Sequence, residues 1–251
     1  MIRRPLPGTV PDPRYPDSDG RFMGDTDYHN HAMRDIFEGL EDHFVHEEDV
    51  YVASNLILYF EEGEPLRRKD PDVLVAKKVG KHKRRSFRVW EEKTFPCVLF
   101  EIASRKTWRN DIGEKRELYA RLAIKEYFLF DPEARYLEPP LQGFRSAHGK
   151  SIPIKANADG SLFSKELGLW LLPEGSTLRL LDAKTRAPIP TRLERAEQES
   201  ERAAREKKRA DQECLRAEEE KERARKERER NAELVAEVEK LRAALAKQKS
   251  H

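Results

Sequence analysis

An abrupt change in composition divides this chain and restricts what each part can fold into. From about Arg192 to Lys249 the sequence contains no glycine and no proline, and Glu, Arg, Lys and Ala dominate it. Most of these residues favour helix, and nothing in the segment would end one. We therefore predict a single long helix over residues 191–251, on the order of 85–90 Å at 1.5 Å per residue.

This helix carries only a thin apolar seam. In heptads counted from Leu193 the inner positions are mostly alanine, and basic residues interrupt the companion positions. Such a seam is weak for a coiled coil. A stronger patch near the end needs a shift of register, and we expect a coiled coil or a homo-oligomer to form there, through residues 234–245. Its members are Leu234, Val238, Leu241 and Leu245.

Composition limits the classes of function that remain. Of the 251 residues 38% are charged, yet the formal net charge is only +2. Any surface that binds nucleic acid must therefore be local. The two cysteines, Cys97 and Cys214, lie in very different contexts and predict no disulfide. We find no signal peptide and no apolar stretch of membrane-spanning length, so we expect a soluble, cytoplasmic protein without a membrane partner.

The part before the long helix has the pattern of an α/β (α+β) domain. Residues 1–20 hold five prolines among charged residues and are predicted to be disordered. Residues 21–190 are predicted to form one domain, a mixed central sheet flanked by helices. Its predicted elements are a helix over Asn30–Phe44, a strand over Val50–Phe60, strands around Asp72 and Glu101, a basic hairpin over Lys77–Arg88, a helix capped by Asn110 or Asp111 that runs to about Leu122, a strand over Lys125–Phe130 and short strands over residues 135–190.

Two carboxylates interrupt apolar strand-like runs. Asp72 lies in Pro71–Val75, and Glu101 lies in Pro96–Ala103. Because residues alternate along a strand, Glu101 should point into an apolar layer. A buried carboxylate is costly unless it is paired or binds a cation. If the two strands are neighbours, the pair could share Mg²⁺ together with the main-chain carbonyl of Ile102. The alternative is that both strands are edge strands and both acids face water.

A lysine on the following helix adds to this pair. Asp111, Lys115 and Tyr119 fall on one helix face, which is otherwise apolar. Lysine rarely sits unpaired in such a place. Lys115 could extend to the surface, pair with Asp111 four residues earlier, or reach the two carboxylates. In the last arrangement it would stabilise negative charge on a phosphoryl group, and the small side chain of Ala103 would leave room for it.

These residues resemble a known family. Asp72 followed by Glu101-Ile102-Ala103 is similar to the degenerate motif of the PD-(D/E)xK nuclease superfamily. The longer pattern resembles the Uma-two family of putative restriction endonucleases over most of residues 25–190 and, more loosely, the charged tail. The pattern consists of His31, Phe100-Glu101-Ile102-Ala103-Ser104, Asp111-Ile112-Gly113-Glu114-Lys115, Tyr119 and Glu126-Tyr127-Phe128-Leu129-Phe130-Asp131-Pro132.

The resemblance implies a restriction-endonuclease-like core and a Mg²⁺- or Mn²⁺-dependent DNA endonuclease. Asp72, Glu101 and Lys115 would be catalytic. Ala103 stands where the superfamily usually has its motif lysine, and the resemblance implies that Lys115 takes that role. Glu38 on the first helix is a candidate third metal ligand, and the alternative is that it lies on a solvated helix face. The implied supporting residues are His31, Ser104, Asp111 and Tyr119.

Basic residues on both sides of Asp72 in the sequence are candidates for contacting DNA phosphates. The alternative is that they form a mobile, solvated hairpin. A second reading of the whole chain is a catalytically inactive, nuclease-fold module that binds DNA or a protein and assembles through its C-terminal helix. The candidate DNA-binding residues are Lys77, Lys78, Lys81, Lys83, Arg84 and Arg85, with Arg67, Arg68, Lys69 and Arg88 nearby.

Overall fold

A computed structural model describes residues 6–8, 12–16 and 26–248, without the side chains of residues 239 and 241–248. The chain divides into two compact units, residues 1–192 and residues 193–251. The helices are α1 (Asp27–His43), α2 (Val89–Glu92), α3 (Trp108–Asn110), a π-helical turn (Asp111–Lys115), α4 (Arg116–Arg121) and α5 (Arg192–Gln248). The strands are β1 (Val50–Ser54), β2 (Leu58–Tyr59), β3 (Arg68–Lys69), β4 (Val73–Lys77), β5 (Phe87–Arg88), β6 (Val98–Ile102), β7 (Glu126–Phe130), β8 (Leu141–Ala147), β9 (Lys150–Pro153), β10 (Leu162–Ser164), β11 (Leu169–Glu174) and β12 (Thr177–Asp182).

A six-stranded mixed sheet forms the centre of the first unit. Its strand order is β1-β4-β6-β7-β8-β9. Strands β6 and β7 are parallel, and the other neighbours are antiparallel. Two three-stranded sheets, β10-β11-β12 and β3-β2-β5, complete the unit. The predicted mixed α/β fold with helices against a mixed sheet is confirmed.

Both faces of the central sheet are buried, which explains why its inner strands are apolar along their whole length. On β6, Phe100 and Ile102 face the side that packs against α1 and the β10-β11-β12 sheet. Leu99 and Ala103 face the other side, where Tyr119 of α4 packs. This alternation is the one expected from the strand period of two. It places the side chain of Glu101 on the α4 side.

Gly143 on β8 shows how closely the second sheet approaches the first. A Cβ atom at this position would come within 2.8 Å of both Leu162 and Phe128. Such distances are shorter than normal carbon contacts, so a larger residue would force the strands apart. The packing of β10 on β8 therefore depends on this glycine.

Several boundaries differ from the sequence predictions. The predicted strand Val50–Phe60 is two strands in different sheets, because Asn55 adopts a left-handed conformation with φ 49°. The predicted helix cap at Asn110 or Asp111 is wrong, since the helical stretch begins at Trp108 and Asp111 lies inside it. The predicted basic hairpin is also wrong. Between β4 and β5 the chain is irregular, and β5 pairs with β2.

Most of the N-terminal segment that we predict to be disordered lies outside the described residues. The described parts, residues 6–8 and 12–16, pack against the rest of the first unit. Tyr15 is only 4% exposed and contacts Tyr59 and Trp90 with ring centroids 5.2 and 5.0 Å away. Because the ring of Tyr15 is buried against these two aromatic rings, it holds this short proline-rich segment in place.

The long helix α5 contains 57 residues, about 85 Å at 1.5 Å per residue. Its described side chains beyond Glu197 are exposed. Ion pairs one turn apart, such as Arg202–Glu206 and Arg205–Glu201, follow its surface. Coiled-coil assembly stays a prediction. Of the helices in the described ranges, none combines the length and apolar character that crossing a bilayer requires.

Candidate active site

The sheet register places Asp72 and Glu101 opposite each other. Val73 pairs with Phe100 in the antiparallel ladder between β4 and β6. Asp72 precedes Val73 and Glu101 follows Phe100, so the two acids are across from one another just beyond the last pair. The main-chain N–H of Ile102 donates to Asp72 Oδ2 at 2.6 Å. The fold therefore joins two acids that are 29 positions apart in the sequence.

Glu101 is buried among polar partners. Its side chain is 3% exposed. The hydroxyl of Tyr119 donates to Oε1 at 3.0 Å, and Lys115 Nζ lies 2.8 Å from Oε2. Both partners come from the helical stretch that packs on this face of the sheet. The contacts offset the cost of placing a carboxylate in an otherwise apolar layer.

Lys115 contacts two of the three acids that the sequence analysis named as its possible partners. Its Nζ lies 2.8 Å from Glu101 Oε2 and 3.0 Å from Asp111 Oδ1, and its side chain is 11% exposed. It does not extend to the surface. The π-helical turn from Asp111 to Lys115 sets this geometry, since a π turn widens the helix locally and re-aims the side chains on it. The hydroxyl of Tyr127 holds the turn by donating to the Asp111 carbonyl at 3.0 Å.

The charges of this cluster do not balance. Three carboxylates, those of Asp72, Glu101 and Asp111, lie near one lysine. Burial raises the pKa of Glu101 to about 8, and the negative charges of Asp72 and Asp111 act in the same direction against the pull of Lys115. Burial also raises the pKa of Asp111. Burial alone would lower the pKa of Lys115, but the carboxylates outweigh it and raise that pKa above its ordinary value.

His29 is a residue of this site that the sequence analysis missed. It lies in the first turn of α1, where Thr26 Oγ1 accepts from its main-chain N–H at 3.3 Å. Its Nε2 is 3.4 Å from Asp72 Oδ2, and it is 7% exposed. The signal was present, because His29 precedes Met33 and Ile36 of the apolar α1 stripe by four and seven residues. A histidine on that stripe must face the sheet.

A cavity of about 220 Å³ opens beside these groups. Asp72, Glu101 and Lys115 all line it. The loop after β6 supplies two exposed basic residues, Arg105 and Lys106, at its rim. The other lining residues are Thr26, His29, Asn55, Asp70, Ser104 and Thr107. Ser104 Oγ and Thr107 Oγ1 are 3.0 Å apart and join the two ends of the loop.

Two expected site residues on α1 lie elsewhere. His31 is exposed, with Nδ1 2.7 Å from the carbonyl of Asp27 in its own helix. Glu38 lies nine residues beyond His29, about 13 Å along the helix. Its Oε1 is 3.7 Å from Arg192 Nη1. Neither residue lines the cavity, so the structure does not bring Glu38 to Asp72 and Glu101 as a third ligand.

The predicted DNA-binding residues begin at the far end of β4. Asp72 precedes this strand and Lys77 ends it, a separation of about 17 Å at 3.4 Å per residue. Lys77 Nζ donates to the Glu166 carbonyl. Lys81 Nζ donates to the carbonyls of Phe44 and, at 3.1 Å, Val45. These two ammonium groups hold the protein's own main chain.

Arg84 is likewise part of the protein's internal structure. Its guanidinium forms a two-bond pair with Glu92 at 2.6 and 3.0 Å and lies 4.1 Å from the ring centroid of Tyr51. The side chain is fully shielded from solvent. Lys78, Lys83 and Arg85 are exposed. Charge runs in a sequence do not distinguish these two situations.

The donor set at the cavity is suited to a hard divalent cation. Asp72 and Glu101 supply carboxylate oxygens. In the described part of the chain, no three His, Cys, Asp or Glu side chains form a cluster that could hold a metal ion by themselves. Mg²⁺ needs no such cage, because it often binds through one or two carboxylates and keeps several waters. The residues present therefore fit Mg²⁺ or Mn²⁺.

Comparison with known proteins now gives the family. The sequence profile of the Uma2 family, described as a putative restriction endonuclease, matches residues 4–175. The chain belongs to this family. Family membership supports a nuclease function, and it agrees with the resemblance seen in the motifs around Glu101 and Lys115.

A solved structure similar to this one is that of a putative nuclease belonging to DUF820 from Anabaena variabilis. The two sequences are 12% identical, and the match covers 60% of this chain and 80% of that chain with a TM-score of 0.43. No curated protein matches the chain.

Proposed function

We propose that this Uma2 family member is a divalent-cation-dependent endonuclease that hydrolyses phosphodiester bonds in DNA. The observation that carries the proposal is the meeting of Asp72, Glu101 and Lys115 at one cavity. Asp72 directly precedes β4, Glu101 lies on β6 and Lys115 lies in the π-helical turn, and Lys115 pairs with the buried carboxylates of Glu101 and Asp111. Family membership supports the same class of reaction.

Asp72 and Glu101 would hold the cation, together with the main-chain carbonyl of Ile102. The hydrogen bond from Ile102 N–H fixes Asp72, and the hydroxyl of Tyr119 fixes Glu101. A bound Mg²⁺ or Mn²⁺ would activate water and neutralise charge on the phosphoryl oxygens. His29, 3.4 Å from Asp72, would orient that carboxylate.

Lys115 would stabilise the negative charge that builds on the phosphoryl group. Its ammonium is held by Glu101 and Asp111 rather than by solvent, so it is already in place when substrate arrives. This replaces the motif lysine that is missing at Ala103. Asp111 would keep Lys115 charged and aimed at the cavity.

DNA would approach over the rim formed by Arg105 and Lys106. Both are exposed and line the cavity, whereas Lys77, Lys81 and Arg84 are engaged with the protein itself. Lys78, Lys83 and Arg85 would contribute at most long-range attraction, because their segment starts about 17 Å from Asp72. Contacts of this kind position the backbone without reading sequence.

The test is cleavage of plasmid DNA with Mg²⁺ by the wild type and by Asp72→Asn, Glu101→Gln and Lys115→Met. Each change should lower the rate by about 10²-fold or more, the usual effect of removing a charged stabilising group. Lys184→Met, an exposed lysine in the turn after β12, is the matched control and should cleave at the wild-type rate. Equal cleavage rates for the wild type and the three site variants would refute the assignment.

The second candidate is a catalytically inactive module that binds DNA or a protein and assembles through α5. Two observations favour it: Ala103 stands at the usual lysine position, and Lys115 Nζ pairs with an oxygen of Glu101, one of the two carboxylates that would bind the cation. DNA binding without any cation-dependent cleavage by the wild type would favour this candidate.

A further inference from the structure

A second cavity lies beside α4, away from the acid cluster. It measures about 340 Å³ and is formed between α4 and the turn that joins β8 to β9. The residues that line it are Arg116, Glu117, Ala120, Arg121, Gly149, Lys150 and Ser151. Three cations and one carboxylate give this cleft an excess of positive charge.

Arg116 is held in this cleft by packing. Its guanidinium carbon lies 5.2 Å from the ring centroid of Phe144, a cation–π arrangement that fixes the plane of the group. Its Nε is shielded from solvent and has no hydrogen-bond partner among the described residues. An arginine so placed is costly unless its donors are used.

Ser151, on the other wall of the cleft, also has a polar side-chain atom without a partner in the described part of the chain. Its Oγ is also shielded and lacks a hydrogen-bond partner within the described residues. Lys150 and Arg121 are exposed beside it. The cleft is thus bordered by Arg116 and Arg121 of α4 on one side and by Lys150 and Ser151 of β9 on the other, and it carries net positive charge.

We propose that the cleft binds a backbone phosphate of the nucleic-acid substrate at a position other than the scissile one. The proposal rests on the proposed nuclease function. An arginine held against an aromatic ring, with an exposed arginine and an exposed lysine around the same cleft, matches the charge and the acceptor oxygens of a phosphodiester. Lys115 and Arg116 are consecutive, with Cα atoms about 3.8 Å apart. One helix therefore presents the reacting group to one cavity and the anchoring group to the other.

The experiment is duplex binding, followed by fluorescence anisotropy in EDTA so that no cleavage occurs. The double variant Arg121→Gln/Lys150→Gln changes exposed residues only and should fold. The control is Arg135→Gln/Lys184→Gln, which removes the same charge elsewhere. We expect the cleft variant to bind duplex about tenfold more weakly than the control. The slope of its log binding constant against log salt concentration should be smaller in magnitude by about 1. Equal affinities and slopes in the two doubles would overturn the proposal.

Two further measurements separate the possible outcomes. In a ¹⁵N NMR titration the Gly149 and Ser151 amides should shift with duplex. If they shift with inorganic phosphate and not with duplex, the cleft binds free phosphate and the backbone assignment is wrong. The nuclease proposal is tested independently. Lys115→Met should abolish cleavage, and adding the cleft substitutions to it should still weaken duplex binding in EDTA. If the cleft variant binds duplex as tightly as the control while the wild type still cleaves DNA, the cleft proposal is refuted and the nuclease proposal is not.

Discussion

At the scale of the residue, the site is defined by charges placed where the fold alone would have put apolar atoms. Glu101 shares its sheet face with Leu99 and Ala103 and is nevertheless buried. Lys115 is buried with it. The arrangement has a cost, because the carboxylates of Asp72 and Asp111 lie close by. Polar groups retained at such a cost mark functional sites more often than structural ones.

The titration of Glu101 gives a pH-dependent prediction. Its pKa in the folded chain is raised to about 8, above the ordinary value of 4.5. A raised carboxyl pKa stabilises the fold fully below the ordinary value, and this stabilisation is lost as pH rises through about 8. In EDTA, the free energy of unfolding of the wild type should fall relative to that of Glu101→Gln over this range. Urea melts at several pH values measure the difference. A difference independent of pH would contradict the burial of a titrating Glu101.

At the scale of the element, the helical stretch from Trp108 to Arg121 and the long helix α5 differ in how regular they are. The stretch from Trp108 to Arg121 changes its winding at the π-helical turn, and that turn carries Asp111 and Lys115. Helix α5 is regular, and the ion pairs along its described part beyond Arg192 are of the i, i+3 and i, i+4 kind. Exposed pairs of this kind add only a few tenths of a kcal/mol each, so the helix gains little beyond its intrinsic propensity.

The apolar end of α5 predicts self-association. Leu234, Val235 and Val238 are 51%, 60% and 46% exposed, which is unusual for large apolar side chains on one turn. We expect the protein at tens of micromolar to have a mass above the 29.3 kDa of one chain. Leu234→Lys/Val238→Lys should shift the mass to that of the monomer, and Leu215→Lys, outside the patch, should not.

Light scattering coupled to size exclusion measures these masses. A wild type that elutes at 29.3 kDa at every concentration would contradict assembly through residues 234–245. Cleavage by the monomeric double variant would show whether assembly and catalysis are separate. We expect intact cleavage, because Asp72, Glu101 and Lys115 all belong to the first compact unit.

At the scale of the whole molecule, the sequence was most informative where a local pattern was strong. The stripe of α1 follows the helical period, the strand around Glu101 is a short apolar run, and the long helix lacks glycine and proline; the structure has all three within a few residues. The helical period also placed Lys115 on an apolar face, but it did not decide among the three arrangements of its side chain. His29 could have been found in this way, since it continues the α1 stripe.

Features that depend on tertiary contacts were not predictable from the chain. In the sequence Arg84 is one of several similar basic residues. Its ion pair with Glu92 depends on how the segment after β4 folds. The left-handed Asn55 splits one apparent strand into two. The cleft at Arg116 and Ser151 joins residues 35 positions apart through packing of α4 on β9. None of these has a local sequence signature.

The most direct test of the central claim is a crystal structure of the wild type soaked in Mn²⁺, with an anomalous difference map. We predict one peak in the cavity, with oxygens of Asp72 and Glu101 as ligands at about 2.1 Å. Lys115 should remain at the edge of the cavity, facing the position of the substrate phosphate. A map with no peak at these two carboxylates, at a concentration that saturates other nucleases, would contradict the assignment of this site as the catalytic centre.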